Sequence, residues 1–288
     1  MFDDILFKFL NLFFIMPELP EVETVRLALT QKIIKRKISK TIINTKKIRF
    51  KIPNKFKERT KGKTVLNILR RGKYLIIFLD SHECILVHLG MTGVFRISKD
   101  YLFKKHDHII FYFEDFLLIY NDMRKFGFVK LFHSSNVFDS SHLKKIGPEP
   151  FEISDNSIIF KNKIFNSNQT TKAFLMNQKN IAGLGNIYCS EILFNSKISP
   201  LIKIKDLDIK KINILIKSIK IILKSAIREG GTSLKDFKNL DGNIGYFKNQ
   251  LKVYGRENKN CFNCKNNNKI IKIIQNGRST FFCKNCQK

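Results

Sequence analysis

Four cysteines near the end of the chain have the spacing of a metal site. They form two Cys-x2-Cys pairs that are separated by 18 residues: Cys261, Cys264, Cys283 and Cys286. Two such pairs can place four thiolates around one Zn2+, and an ion with four thiolates has no open position for a reacting water. We therefore predict one structural zinc ion. Cys84 and Cys189 stand alone in apolar segments, where we expect them to be core residues.

The interval between the two cysteine pairs predicts a β-hairpin. Residues 270–274 and 279–282 are rich in apolar and β-branched side chains, and Asn276-Gly277 between them is a hairpin-turn signal. Such a turn would leave Arg278 at or near the tip. An arginine beside a turn is commonly a solvated surface charge, but on a zinc hairpin of a basic chain it is a candidate phosphate contact.

A second candidate for chemistry is Pro17, which is followed by Glu18. If Met16 is the true start, removal of this methionine would expose a secondary amine. Such an amine can attack a sugar C1′ and form an iminium ion, which is an electron sink for elimination reactions. An α-amino group titrates at about pH 8, so it is partly unprotonated at neutral pH. By spacing alone, the segment is more simply interpreted as the charged start of a helix.

A glycine-rich turn at 181–188 reads Ile-Ala-Gly-Leu-Gly-Asn-Ile-Tyr and leads into a predicted helix. A turn of this kind can present free backbone N–H groups to a phosphate at the helix N-terminus. It is not a dinucleotide fingerprint, because no strand precedes it and the third glycine is absent.

The elements that must position these residues change in type along the chain. A helix is predicted to start near Pro20, because proline favours the first helical position and acids follow it. From Lys63 to about His133, short runs rich in Ile, Val, Phe and Tyr predict a β-sandwich or barrel. After the prolines of 147–150 the periodicity becomes helical, most clearly over 206–229.

The charge of the chain predicts a polyanionic partner. It has 53 Lys and Arg against 24 Asp and Glu, a net charge of +29 over 288 residues. Nucleic acid is the first candidate for this partner, and an anionic membrane surface is the alternative. Residues 1–15 are apolar, but they start with acids, lack a cleavage site and are too short to span a bilayer. We expect a cytoplasmic protein without a membrane partner.

Ten ordered motifs between Met16 and Lys288 closely resemble the formamidopyrimidine-DNA glycosylase family. They are MPELPEVET (16–24), RRGKYL (70–75), HLGMTG (88–93), KHDH (105–108), RKFG (124–127), GPEP (147–150), GLGNIY (183–188), GGTSLKDF (230–237), VYGR (253–256) and the cysteine module. The resemblance implies an α+β fold that starts with a helix and a β-sandwich. A helix–two-turn–helix domain and a four-cysteine zinc-finger hairpin would follow.

The resemblance also implies a domain organisation. The catalytic domain would cover 16–147, a linker 148–165, the helix–two-turn–helix DNA-binding domain 166–250 and the zinc finger 251–288. Residues 1–15 would be a leader outside the functional protein. Asp241–Tyr246 falls where the family has a mobile loop that caps the lesion.

The implied activity is that of a bifunctional DNA glycosylase and AP lyase of base excision repair, which removes 8-oxoguanine and formamidopyrimidines. Pro17 would be the Schiff-base nucleophile, and Glu18 would protonate the deoxyribose ring oxygen. Lys73 would assist elimination and contact the flanking phosphate. Arg278 would contribute to δ-elimination and bind phosphate. The strand would be nicked by β,δ-elimination.

The expected partner is damaged double-stranded DNA, bound by a monomer. His106, Arg124 and Asn186 match DNA-contacting positions of the family. The resemblance implies that Met91, Arg124 and Phe126 fill the gap left by the flipped nucleotide. Where relatives often have a basic cluster, residues 166–172 keep only Lys172 as a candidate DNA contact.

Two alternatives remain open at this point. The endonuclease VIII branch shares the proline, the glutamate and the zinc hairpin but prefers oxidised pyrimidines. The start Pro-Glu-Leu-Pro-Glu and the separated Met91, Arg124 and Phe126 favour the purine branch. The other alternative is a catalytically inactive DNA- or RNA-binding protein on the same scaffold, against which the intact Pro17 and Glu18 argue.

Overall fold

The computed structural model describes residues 16–102, 104–232, 247–264 and 267–288. Within them the helices are α1 Leu19–Ile33, α2 Phe56–Thr60, α3 Ile158–Phe165, α4 Thr171–Met176, α5 Asn186–Asn195 and α6 Ile209–Arg228. The strands are β1 Lys40–Ile43, β2 Val65–Arg71, β3 Tyr74–Leu79, β4 Glu83–His88, β5 Gly93–Ser98, β6 Asp107–Tyr112, β7 Leu117–Asp122, β8 Phe128–His133, β9 Ile271–Gln275 and β10 Arg278–Phe282. Short 3-10 helices cover Ser134–Asn136, Ile204–Asp206 and Phe247–Gln250.

The first part of the chain is a β-sandwich. Its two four-stranded sheets have the orders β1-β6-β7-β5 and β2-β3-β4-β8, and all neighbouring strands are antiparallel. Residues at alternate positions of β3 point in opposite directions, so Leu75 and Ile77 enter the core between the sheets while Ile76 packs on the outer face. This arrangement decides between the sandwich and the barrel that the sequence left open.

Helix α1 connects this sandwich to the helical part of the chain. Val22, Val25 and Leu29 recur at helical spacing and pack into the sandwich core. Leu19, one turn earlier, belongs instead to the core of the helical part. The helix therefore begins between the two cores, which places the residues just before it, Pro17 and Glu18, at their boundary.

Helices α3 to α6 surround a second apolar core. Helix α6 has the clearest caps, because Asp208 accepts a hydrogen bond from Lys211 N–H at 2.7 Å and Gly230 follows its last turn with φ +74°. The predicted helix over 206–229 is thus confirmed, although its first residues form the 3-10 turn and the cap. Helix α3 lies inside the span 148–165 that the resemblance assigned to a linker.

The chain ends in the predicted hairpin. Strands β9 and β10 pair antiparallel, with Gln275 opposite Arg278 across the turn residues Asn276 and Gly277. Both turn residues have positive φ, +50° and +69°, which is the conformation that an Asn-Gly hairpin turn requires. The α+β fold class is therefore confirmed.

The remaining predictions concern the leader, the capping loop, the two single cysteines and a membrane-spanning segment. The leader 1–15 and the capping loop Asp241–Tyr246 lie outside the described residues. Cys84 and Cys189 are fully buried in apolar clusters, as expected of core residues. Among the described residues, no helix combines the length and the apolar character that crossing a membrane requires.

Candidate active site

Pro17 and Glu18 are buried where the sandwich meets the helical part. The start of α1 is fixed from two sides. Leu19 N–H donates to Gly183 O at 3.0 Å, and Glu18 N–H donates to Glu21 Oε2 at 3.0 Å. The backbone on both sides of the Glu18 side chain is therefore held in place before any ligand binds.

The carboxylate of Glu18 lies at the N-terminus of α5. Its Oε1 accepts a hydrogen bond from Ile187 N–H at 3.0 Å, and its Oε2 accepts one from Tyr188 N–H at 3.5 Å. These are amides of the glycine-rich turn that the sequence offered to a phosphate. In the structure the anion at this helix N-terminus is Glu18 itself, which corrects that interpretation.

The glycines of this turn are explained by the close approach of α1. A Cβ on Gly185 would lie 2.3 Å from Glu18 Cδ, and one on Gly183 would lie 2.6 Å from Leu19 Cβ. Gly185 has φ −140°, which other residues adopt easily, so its requirement is purely steric. The absence of a side chain allows the carboxylate to reach the helix.

We expect Gly185→Ala to lower the rate of the glycosylase reaction that the resemblance implies by about 100-fold, because the added methyl must displace the Glu18 carboxylate from its amide donors. A single-turnover assay of that reaction measures this effect, and a melting curve reports whether the fold survives. Gly255→Asn is the control, since its Cβ would meet no atom within 4 Å and asparagine tolerates the φ of +69° at this position better than alanine does. An unchanged excision rate in the Gly185 variant would contradict this account of the turn.

Burial raises the pKa of Glu18 to about 7. The positive charge of Lys73 and the two amide hydrogen bonds act in the opposite direction, while the nearby Glu21 raises the pKa further. A carboxyl group with a pKa near the working pH is protonated in a large fraction of molecules and can donate its proton. Glu18 is therefore suited to act as a general acid.

Lys73 reaches this site from the turn between β2 and β3, where it is only 9% exposed. The preceding Gly72 has φ +56°, and its N–H donates to Glu149 Oε1 at 2.7 Å. Glu149 also accepts from Arg70 at 2.7 Å and from Arg71 at 3.0 Å. This network ties the turn that carries Lys73 to the segment that enters the helical part.

Glu21 is a functional candidate that the sequence did not single out. Its Oε1 accepts hydrogen bonds from Tyr188 Oη at 2.6 Å, from Thr232 N–H at 2.8 Å and from Thr232 Oγ1 at 2.9 Å. Thr232 is the last described residue before 233–246. The carboxyl group of Glu21 therefore connects the start of α1 to the stretch that leads into the predicted capping loop.

Met91, Arg124 and Phe126, here called the wedge residues, lie on two loops of the sandwich that touch. A Cβ on Gly90 would lie 2.3 Å from Gly127 N, so the two loops are in backbone contact. The guanidinium of Arg124 stacks over the ring of Phe126, 4.5 Å from its centroid, and this ring is 44% exposed. The structure thus brings the wedge residues to one edge.

Asp122, which the sequence also left unmarked, holds these loops together. Its fully buried carboxylate accepts from Thr92 Oγ1 at 2.5 Å and from Gly127 N–H at 2.8 Å, and Thr92 Oγ1 accepts from Arg124 N–H at 3.0 Å. The Asp122 N–H donates to His106 O at 3.1 Å. His106, which is half-buried with φ +76°, is thereby placed beside the wedge loops.

The C-terminal hairpin presents Arg278 on the exposed first position of β10. The carbonyl of the next residue, Ser279, accepts from Asn186 Nδ2 at 2.9 Å and from Lys172 Nζ at 2.9 Å. These contacts anchor the hairpin to α4 and to the N-terminus of α5. Arg278 and Asn186 are therefore on the same side of the molecule as Glu18.

Lys172, which was predicted to be a candidate DNA contact, is enclosed in the structure. It is 2% exposed, and its Nζ also donates to Thr280 Oγ1 at 2.7 Å. Burial lowers its pKa to about 8, and the charge of Arg278 lowers it further while Glu18 raises it. In this structure Lys172 supports the hairpin from beneath.

The four cysteines of the predicted metal site are close together. Their Sγ atoms all lie within 4.8 Å of one another, with Cys261 and Cys286 at 3.7 Å and Cys264 and Cys283 at 3.6 Å. Thiolates that bind Zn2+ tetrahedrally at about 2.3 Å are separated by roughly 3.8 Å. The cluster therefore fits one ion of this type.

Comparison with known proteins agrees with this geometry. Residues 16–129 match the formamidopyrimidine-DNA glycosylase N-terminal domain, and residues 146–238 match its H2TH domain. A formamidopyrimidine-DNA glycosylase of Bartonella quintana (strain Toulouse) is 39% identical over 293 residues, which cover 95% of this chain and 100% of the relative.

Solved structures give the same result. The Lactococcus lactis Fpg in complex with DNA that contains an abasic site has a TM-score of 0.86 at 38% identity, covering 94% of this chain and 99% of that one. MutM in complex with DNA that contains carbocyclic 8-oxo-G has a TM-score of 0.85 at 38% identity, covering 94% and 100%. The chain therefore belongs to the formamidopyrimidine-DNA glycosylase family.

Proposed function

We propose that this chain is a bifunctional DNA glycosylase and AP lyase that excises oxidised purines from duplex DNA and then nicks the strand. The observation that carries the proposal is the environment of Glu18. A buried carboxyl group with a pKa of about 7 lies next to Pro17 in the sequence and is influenced by the charge of Lys73. Together these groups supply an acid, a nucleophile and a cation.

In the proposed reaction the nitrogen of Pro17 attacks C1′ of the damaged nucleotide, the bond from C1′ to the base breaks, and the departing base takes up the proton that the Pro17 nitrogen releases. Glu18 donates its proton to the ring oxygen O4′, which opens the sugar and leaves an iminium ion between Pro17 and C1′. Loss of a proton from C2′ then expels the 3′ phosphate, and a second elimination expels the 5′ phosphate. Lys73 and Arg278 would bind the phosphates during these steps.

This chemistry requires a free amine at Pro17, whose nitrogen is bonded to Met16 in the sequence as printed. We therefore propose that the active form begins at Pro17. The match to the N-terminal family domain, which starts at residue 16, supports this start. Intact-mass measurement of the native protein tests it directly.

For DNA binding we propose that the wedge residues occupy the space of an extruded nucleotide while His106, Asn186 and Arg278 contact the strand. The support comes from two observations. The wedge residues share one edge of the sandwich, and Arg278 is exposed on the hairpin next to the catalytic side. The wide excess of positive charge would add affinity that depends on salt.

We also propose that the ion of the cysteine cluster is a single structural Zn2+. Four thiolates are its preferred ligand set, and their separation fits its tetrahedral coordination. When bound, zinc supplies a crosslink between the two ends of the hairpin segment. Lys172 and Asn186, which donate hydrogen bonds to the carbonyl of Ser279, then keep the neighbouring Arg278 in place.

Borohydride trapping tests the proposed activity. We expect protein that begins at Pro17 to form a covalent adduct with a duplex that contains 8-oxoguanine. Protein that retains Met16 is the matched control, since its Pro17 nitrogen is an amide, and it should form no adduct through Pro17. DNA binding without an adduct in both forms would favour the inactive binder. Faster cleavage at thymine glycol than at 8-oxoguanine would favour the endonuclease VIII branch.

A further inference from the structure

The loop between β1 and α2 encloses a basic cavity that no catalytic step uses. The cavity has a volume of about 590 Å3, and its lining includes four exposed lysines, here called the lysine pocket: Lys46, Lys47, Lys51 and Lys57. Within the described parts of the chain, none of these lysines forms an ion pair. Asn44 and Asn54 add neutral hydrogen-bonding groups to the lining.

The backbone of this loop is held by hydrogen bonds, and its lysines line one cavity. Ile52 N–H donates to Lys46 O at 3.0 Å, and Lys47 and Lys51 face each other in an antiparallel bridge. Ile48 and Ile52 are buried in the sandwich core and anchor the loop from below. Like charges that are held near one another repel, and a bound anion removes this cost.

The position of the lysine pocket is informative, because the loop lies between the two DNA-contacting candidates of the sandwich. On one side, Asn44 N–H donates to His108 O at 2.9 Å and Asn44 Nδ2 donates to Asp107 O at 3.1 Å, next to His106. On the other side, Arg49 N–H donates to Gly127 O at 3.3 Å, next to Phe126. The lysine pocket therefore shares its edge of the sandwich with the wedge residues.

We propose that the lysine pocket binds backbone phosphates of the duplex that flanks the damaged base on the side of the wedge residues. Lysine ammonium groups suit this role, since each is a point charge that reads no base sequence. The pocket would lengthen the contacted stretch of DNA beyond the catalytic site. This inference rests on the DNA binding proposed above and adds a second, noncatalytic contact region to it.

The test is the salt dependence of DNA affinity in the triple variant Lys46→Gln, Lys47→Gln, Lys51→Gln. Affinity is measured on duplexes of about 10 and about 25 base pairs that contain an abasic-site analogue. On the longer duplex, the slope of log affinity against log salt should become shallower by about 2 to 3, because each lost phosphate contact contributes about 0.9. On the shorter duplex the slope should be unchanged.

The matched control carries the same change of charge on the exposed surface of α6, at Lys210, Lys211 and Lys224. Equal slopes for the lysine-pocket variant and this control would overturn the inference, as would an effect that is the same on both duplexes. Saturable binding of inorganic phosphate with no change of the DNA slope would also overturn it. If the wild type fails to bind either duplex, the proposed function fails as well.

Discussion

Replacement of Glu18 by glutamine should reduce single-turnover excision of 8-oxoguanine by about 100- to 10,000-fold, the usual contribution of a positioned general acid. Glutamine keeps the size of the side chain and an oxygen for Ile187 N–H, but it has no proton to give to O4′. An abasic site is already partly in the open aldehyde form, so it does not need this proton. We therefore expect the variant to retain borohydride trapping on a preformed abasic site.

The pH profile gives an independent signature of the same residue. Burial raises the pKa of Glu18 to about 7, so its proton is present below this value and is lost as the pH rises through it. The excision rate of the wild type should then fall on the alkaline side. The acid side should fall as the Pro17 amine becomes protonated, because a protonated amine has no lone pair with which to attack C1′. Glu18→Gln should remove the alkaline limb and leave the acid limb.

Glu152→Gln is the control for this variant, because Glu152 is an exposed acid. It should behave as the wild type in both rate and pH profile. If Glu18→Gln excises the base at the wild-type rate, the general acid is a different group. If it loses trapping on a preformed abasic site to the same extent as excision, Glu18 serves the fold of the site and not the proton transfer.

Removal of the metal from the cysteine cluster should weaken DNA binding by about 10- to 100-fold, which is the loss expected when charge-assisted contacts such as those of Arg278 are released. The cysteines pack with Phe194, Val253, Ile270 and Phe281 in a small core of their own. Without the metal this core is too small to remain folded. Catalysis should fail as a consequence of lost binding, since Glu18 and Lys73 belong to other elements.

Chelation followed by readdition of Zn2+ measures this effect, with metal content, circular dichroism and DNA affinity followed together. Cys286→Ser should reproduce the loss, whereas Cys84→Ser is the control because Cys84 lies in the sandwich far along the chain from the cluster. Full DNA affinity in metal-free protein would show that Lys172 and Asn186 hold the hairpin without the ion.

Local rules of sequence predicted those parts of the molecule that local interactions determine. The hairpin around Asn276-Gly277 has strand ends within one residue of the prediction, because turn chemistry sets its register. The position of helix α6 is predicted by the spacing of its apolar residues and by the capping residues at its ends. The strand-rich stretch predicted from Lys63 to about His133 contains β2 to β8, which cover Val65 to His133. The pairing order of the sheets depends on distant partners and could not be predicted this way.

Dependence on distant partners also explains why the sequence did not reveal the environment of some residues of the site. Glu21 was interpreted as an acid in the first turn of a helix, which it is, but its partners Tyr188 and Thr232 are distant in the sequence. Asp122 likewise has a partner that is distant in the sequence, Thr92. The motif in which Glu21 stands was the one signal that could have marked it. Lys172 was predicted to be a candidate DNA contact from the resemblance, and only the packed hairpin shows that its Nζ is enclosed.

The contacts of Glu18 and Glu21 have a consequence for synthesis of the chain on the ribosome. Glu18 is made among the first residues, yet its donor Ile187 follows 169 residues later, and Thr232 follows Glu21 after 211. At about 5 to 20 residues per second, many seconds separate the two ends of these contacts. During this time the Glu18 carboxyl group lacks its amide donors, so the site around Pro17 and Glu18 is incomplete. A nascent or truncated chain therefore lacks the amide donors of Glu18, and only a nearly finished molecule has the complete site.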